Sequence, residues 1–197
     1  MMYQTLFLLL AAGQLFEFEN PKPVAPASMR AEGNGFAYDG NGWHLKMTPM
    51  KLDAFQRYML NVGVQQTVLN KPGVQKTLER VAPFLVEIAN TGIDQLTFNP
   101  DQILIRSSRG PDGYIIDMAS YWPAELPRRT EEQEQFARVF KRGTVELKPG
   151  ESHQQLIVFH PYSEKFRKKV NIQMSRIYYG IESFELECQF QVRYPKK

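Results

Sequence analysis

Ser183-Phe184-Glu185-Leu186-Glu187-Cys188-Gln189-Phe190-Gln191-Val192 reads as one antiparallel β-strand. Phe184, Leu186, Cys188, Phe190 and Val192 alternate without a fault with Glu185, Glu187, Gln189 and Gln191. Successive side chains of a strand point to opposite faces, so this pattern predicts one buried face and one wet face. Cys188 is the only cysteine of the chain and sits at the centre of the inward set. With no second thiol there is no internal disulfide, and the fold has to rest on its apolar core.

Working back from that strand, Lys168 to Met174, Gln155 to Phe159 and Thr144 to Leu147 carry three more strand signals, separated by turn chemistry such as Pro149-Gly150. Further upstream Phe84, Val86 and Ile88 alternate with Leu85 and Glu87. Leu96 with Phe98 and Ile103 with Ile105 continue an apolar face after the turn Asn90-Thr91-Gly92. Ser107 to Gly113 reads as a polar loop and Tyr114 to Met118 as a short strand. Phe36 to Tyr38 and Trp43 to Met47 flank Asp39-Gly40-Asn41-Gly42, whose glycines tolerate the positive φ of a tight hairpin, with Trp43, Leu45 and Met47 inward and His44 and Lys46 in water.

Three interruptions have helical period. Leu52 to Leu60 groups Phe55, Tyr58 and Met59 on one side, with Asp53 as a possible cap and Gln56 in the reciprocal position. Val74 to Val81 follows Pro72-Gly73, and Val62 to Leu69 between them fits strand or loop. Thr130 to Arg142 starts with Thr130 as cap, Glu131, Glu132 and Gln133 in its first turn, and ends on Lys141 and Arg142, charges that complement the helix dipole. Short strands at close spacing with this alternation favour an antiparallel β-sandwich over a parallel α/β sheet, with the helices as insertions at its edge or ends.

The first 35 residues read differently. Leu6 to Ala12 is an apolar run ending in small residues, the layout of a secretory signal over residues 1–13, although no Lys or Arg precedes it and a buried N-terminal strand is the other reading. The run is too short to span a bilayer. Ala11-Ala12-Gly13 approaches a lipoprotein cleavage site, but Gln14 stands where the acylated cysteine belongs, so a periplasmic or secreted product without a lipid anchor is expected. Residues 14–35, with Pro21, Pro23 and Pro26, read as a Pro-rich leader, and the folded domain as residues 36–197.

Phe84-Leu85-Val86-Glu87-Ile88-Ala89-Asn90-Thr91-Gly92, Leu96-Thr97-Phe98-Asn99-Pro100 and Leu147-Lys148-Pro149-Gly150-Glu151-Ser152 followed by Leu156-Ile157-Val158-Phe159 resemble segments of uncharacterised bacterial exported proteins and lipoproteins with an immunoglobulin-like β-sandwich domain. The likeness covers roughly Trp43 to Val192 and implies a mainly β, immunoglobulin-like antiparallel sandwich with short helical insertions. It brings no catalytic residues, and Gln14 departs from its lipoprotein members.

The chain has 197 residues, 43% apolar and 23% charged, with 24 basic and 21 acidic side chains and a formal charge of +3. That excess is too small to mark a nucleic-acid binder. His44, His153 and His160 are dispersed, and Asp39 with Asn41 lacks the later ligands of a calcium loop, so no metal or other cofactor is expected. There is no Gly-x-Ser-x-Gly elbow and no phosphate loop ending in Lys-Ser or Lys-Thr. Two segments stand out as contact surfaces. Lys165, Arg167, Lys168 and Lys169 form the densest cationic run, suited to an anionic surface, phospholipid or acidic glycan; the plainer reading, which the sequence favours, is a solvated strand entrance whose lysines discourage edge-to-edge pairing. Tyr121 and Trp122 offer two rings beside Pro123 in a long interruption, for a partner or, on the plainer reading, as a cap on the open end of the sandwich. The sequence goes into a stable sandwich and its insertions and not into reactive groups, which, with the signal-like segment and the resemblance to exported proteins, points to a non-catalytic interaction or assembly module of the cell envelope, with an envelope protein or polymer as partner. The alternative is a hydrolase acting on an envelope polymer, for which a cleft joining His153 or His160 to carboxylates would speak, whereas a flat aromatic patch would speak for binding.

Overall fold

The computed structural model describes residues 16–116 and 143–195. Two antiparallel sheets account for its strands. In the first, β1 (Glu17–Ala25) lies beside β13 (Glu182–Arg193), and β13 beside β12 (Lys169–Tyr179). The far side of β12 is shared by β7 (Ile103–Ser107), which continues to β8 (Gly110–Pro111), and by β6 (Leu96–Phe98), which continues to β10 (Val145–Leu147). The second sheet runs β2 (Met29–Glu32), β3 (Gly35–Asp39), β4 (Trp43–Pro49), β5 (Ala82–Asn90), β11 (Ser152–Pro161) and β9 (Gly113–Ile115). Phe184, Leu186, Cys188, Phe190 and Val192 face inward as their alternation requires, and rings from the two sheets meet edge to face. Phe190 lies 5.7 Å from Phe84 and Phe184 5.3 Å from Trp43, centroid to centroid. This is the expected antiparallel β-sandwich, closed by a core in which aromatic edges meet aromatic faces.

The N-terminal boundary differs from expectation. The domain does not start near Phe36: residues 17–25 and 29–32, read as part of a leader, form β1 and β2. β1 pairs with β13, setting Phe18 opposite Val192 and Pro23 opposite Cys188, while Phe16 and Phe18 enter the core. Prolines suit this place because an edge strand needs ladder bonds on one side only. The register shifts between Glu19 and Lys22, where Asn20 takes φ 52°, so a bulge absorbs what a regular strand would not.

The helices differ in placement. α1 (Leu52–Asn61), α2 (Gln66–Leu69) and α3 (Pro72–Arg80) lie on the outer face of the second sheet instead of at an edge or end. There Phe55, Met59, Val74 and Leu78 form a second core with Leu156 and Val158, while Ile157 and Phe159 of the same strand face the first core. The unbroken run Leu156-Ile157-Val158-Phe159 is therefore a strand covered on both faces. α1 starts one residue before the expected cap. Lys51 precedes it without a side-chain capping bond, and Leu52 is buried. Asp53 instead bonds Arg57 at 3.0 Å and Gln56 bonds Gln75 of α3 at 3.2 Å. The stretch 62–69, expected as strand or loop, instead contains the short helix α2, formed because it buries Val68 and Leu69 in the second core. The expected signal at residues 1–13, the helix from Thr130 to Arg142, and Tyr121 and Trp122 lie outside the described residues.

Asn90 ties the far end of the sandwich. Its side chain is buried, donating to the carbonyls of Asp94 (2.7 Å) and Leu147 (2.9 Å) and accepting from the Gly92 N–H (3.1 Å). Beside it the Tyr179 hydroxyl accepts from Ile93 N–H at 2.9 Å. The hairpin at Gly42 packs so closely on that ring that the φ of +95° and the lack of a Cβ are both required.

Candidate functional site: a cation-lined aromatic groove

The segment from Tyr162 to Lys168 joins β11 to β12 and is held by one buried acid. Asp112, 8% exposed, accepts a hydrogen bond from the Arg167 backbone N–H at 2.7 Å, and the Arg167 guanidinium lies 3.6 Å from its other oxygen. Gly113 next to it passes so near the His160 carbonyl that a Cβ there would stand 2.5 Å from the oxygen. Phe166 anchors the segment from below: it is buried and packs edge to face on Phe16 and Phe18. The Tyr194 hydroxyl donates to the Phe166 carbonyl, and burial, with Asp112 nearby, pushes its pKa up to about 12. Lys165 lies over the Tyr194 ring at 5.8 Å.

These contacts divide the cationic run. Lys165, Arg167 and Lys168 line an open groove of about 730 Å³ together with Arg109, Asp112, Tyr162 and Tyr194. Lys169 does not line it; it is the first residue of β12, opposite Gln191 on the outer face of the first sheet. Nor does the run guard a sheet edge, since β12 is flanked by β13 on one side and by β7 and β6 on the other. The edge-protection reading therefore has no edge to protect.

The groove continues past Pro111 and Tyr162 into a second hollow of about 320 Å³ where β7 and β9, one strand from each sheet, come side by side. Tyr114 and Tyr162 stand there with ring centroids 5.1 Å apart and planes inclined at 39°; His160 continues the row 5.6 Å from Tyr114. Tyr162 is 65% exposed and Tyr114 39%, so both residues reach solvent. Arg106, Arg109, Lys165, Arg167 and Lys168 against Asp101 and Asp112 give the joined lining a formal excess of three positive charges. That equals the charge of the whole chain.

Neither tyrosine was singled out by sequence reading. Only the register that sets His160 opposite Tyr114 brings the rings together, and that pairing spans 46 positions of chain, His160 minus Tyr114. His160 has its Nδ1 2.8 Å from the Pro161 carbonyl and belongs to this aromatic row. His153 stands elsewhere on β11, opposite Ile88. No group of three His, Cys, Asp or Glu able to hold a metal occurs among the described residues, and no helix among them is long and apolar enough to cross a membrane. The surface beside His160 is an aromatic row within a concave lining that also contains Asp101 and Asp112. Cys188 is buried, which pushes its thiol pKa up to about 12 and leaves it without nucleophile character at neutral pH. No known protein family, curated protein or solved structure matches the chain.

Proposed function

We propose that the protein is a non-catalytic binding module of the bacterial cell envelope that works outside the cytoplasm and holds its partner in the groove between β7, β9 and the Tyr162–Lys168 segment. The observation that carries this reading is the continuity of exposed rings with a net positive lining in a concave surface. Sites for small molecules and chain ends are concave, largely preformed, and combine apolar faces with a few placed polar groups. The groove has those features, and its walls are fixed by Asp112, Gly113 and Phe166 and not by a mobile tip.

The location follows from the signal-like layout of residues 1–13 and from Gln14 in place of a lipid-bearing cysteine. Cleavage after Gly13 leaves Phe16 and all of β1 in the mature chain, so export and folding are compatible. The two antiparallel sheets and their shared core support an immunoglobulin-like assignment within the family of exported proteins that the strand and turn segments resemble. The test is capture of envelope material by the immobilised mature protein and by a Lys165→Gln/Lys168→Gln variant. The reading expects specific capture that the double variant loses; equal capture by both would remove the groove from the function.

A further inference from the structure

We infer that the groove binds an acidic polysaccharide, with sugar rings laid on Tyr162 and Tyr114 and the carboxylates or phosphates of the chain met by Arg109, Lys165 and Lys168. This rests on the binding-module reading and supplies its ligand class. The two tyrosine rings touch at 5.1 Å between centroids, and Tyr162, 65% exposed, is the ring best placed to take the C–H face of a pyranose, with Tyr114 continuing the aromatic surface beside it. The negative face of an aromatic ring attracts such polarised hydrogens. Arg167 is committed to Asp112, whereas Arg109, Lys165 and Lys168 have no carboxylate partner among the described residues. A flexible anion drawn along the groove meets these charges and the rings in one stretch, because Pro111 and Tyr162 belong to both hollows.

A lipid surface shares the anionic chemistry but fits less well. Peripheral membrane binding places apolar side chains beside the cations, so that both meet the interface together. Here the most exposed aliphatic side chains, Ile93 at 89% and Ile181 at 103%, lie at the opposite end of β12 from Lys165 and Lys168, and beside the groove's two tyrosines only Leu104 adds an exposed aliphatic side chain. That strand has eleven residues, which at about 3.3 Å each spans roughly 35 Å. A concave channel also suits a linear chain better than a flat bilayer.

Calorimetric titration of the full chain tests this with five probes: polygalacturonate, the same polymer after methyl esterification, inorganic polyphosphate, oligothymidylate, and phosphatidylglycerol vesicles. Wild type is compared with Lys165→Gln/Lys168→Gln and with Tyr162→Ala, both at exposed side chains, after thermal unfolding shows them folded. Polygalacturonate is expected to bind. Methyl esterification, the double variant and Tyr162→Ala should each weaken it about tenfold, or about 1.4 kcal/mol. Tyr162→Ala should leave the weaker binding of polyphosphate unchanged, since that chain offers nothing to stack. Binding of polyphosphate, oligothymidylate or vesicles as tightly as polygalacturonate, or a silent Tyr162→Ala, overturns the ligand assignment. If polygalacturonate does not bind while envelope material is still captured, the ligand assignment fails and the binding module stands. Release of reducing ends from bound polygalacturonate instead supports the ligand and overturns the non-catalytic reading.

Discussion

Phe18→Ala is the change that separates a folded N-terminal strand from a leader. Phe18 is 6% exposed and meets four rings edge to face: Phe84 at 5.1 Å, Phe166 at 5.5 Å, Phe16 at 5.9 Å and Phe190 at 6.1 Å. Truncating a buried phenylalanine removes its transfer free energy and leaves a cavity, at a cost of roughly 3 to 5 kcal/mol. The site sits where both sheets converge, which limits collapse around the void, so a value near 4 kcal/mol is expected. At about 2 to 4 °C per kcal/mol for a domain of this size, Tm should fall by roughly 8 to 16 °C. Differential scanning calorimetry and urea unfolding read the same quantity, with the urea slope unchanged if only stability is altered. Val24→Ala on the same strand is the control: Val24 is 53% exposed, and its loss should stay within about 0.5 kcal/mol. A Phe18→Ala loss below about 1 kcal/mol would refute the placement of β1 in the core.

Three other outcomes are expected. Asn90→Ala removes three hydrogen bonds from a buried side chain, so urea unfolding should record a loss of about 3 kcal/mol; a loss under 1 kcal/mol would mean that water replaces the side chain. Cys188 and Tyr194 both have folded-state pKa values raised by burial to about 12 from ordinary values of 9.0 and 10.0. The folded state then keeps protons that the unfolded chain gives up, so stability is fully present below about pH 9 and falls as pH rises toward 12. Thiol labelling of the native protein between pH 7 and 10 should remain slow while the unfolded chain accelerates, and equal rates would contradict the burial of Cys188. Intact mass of protein from its native host should correspond to a start at Gln14 with no acyl group; a retained Met1 or an added lipid mass would contradict export as a free product.

The last strand was legible because both of its faces obey one period over ten residues, and Cys188 and Phe190 fell where that period puts them. β1 was not, since Pro21 and Pro23 erase the pattern, and only the one-sided pairing of an edge strand makes them acceptable. The location of the helices was encoded in the double-faced run Leu156 to Phe159, but that run does not say which element covers which face. In the groove, Lys165, Arg167 and Lys168 were visible as a local charge run. Tyr114, Tyr162 and Arg109 were not, because their proximity depends on the β9–β11 register and on Asp112 drawing Arg167 inward. Local patterns report which face is wet; they do not report which wet residues become neighbours across sheets.

Backbone amide shift mapping of the protein titrated with a hexamer of galacturonic acid tests directly whether the groove holds the ligand. The perturbed amides are expected to cluster at Arg106 to Tyr114 and Tyr162 to Lys168, together with His160, while Gly92 to Gln95 and Gly180 to Glu182 at the far end stay unmoved. Perturbation centred on that far end, or a saturable complex that leaves the groove amides unchanged, would contradict binding in the groove.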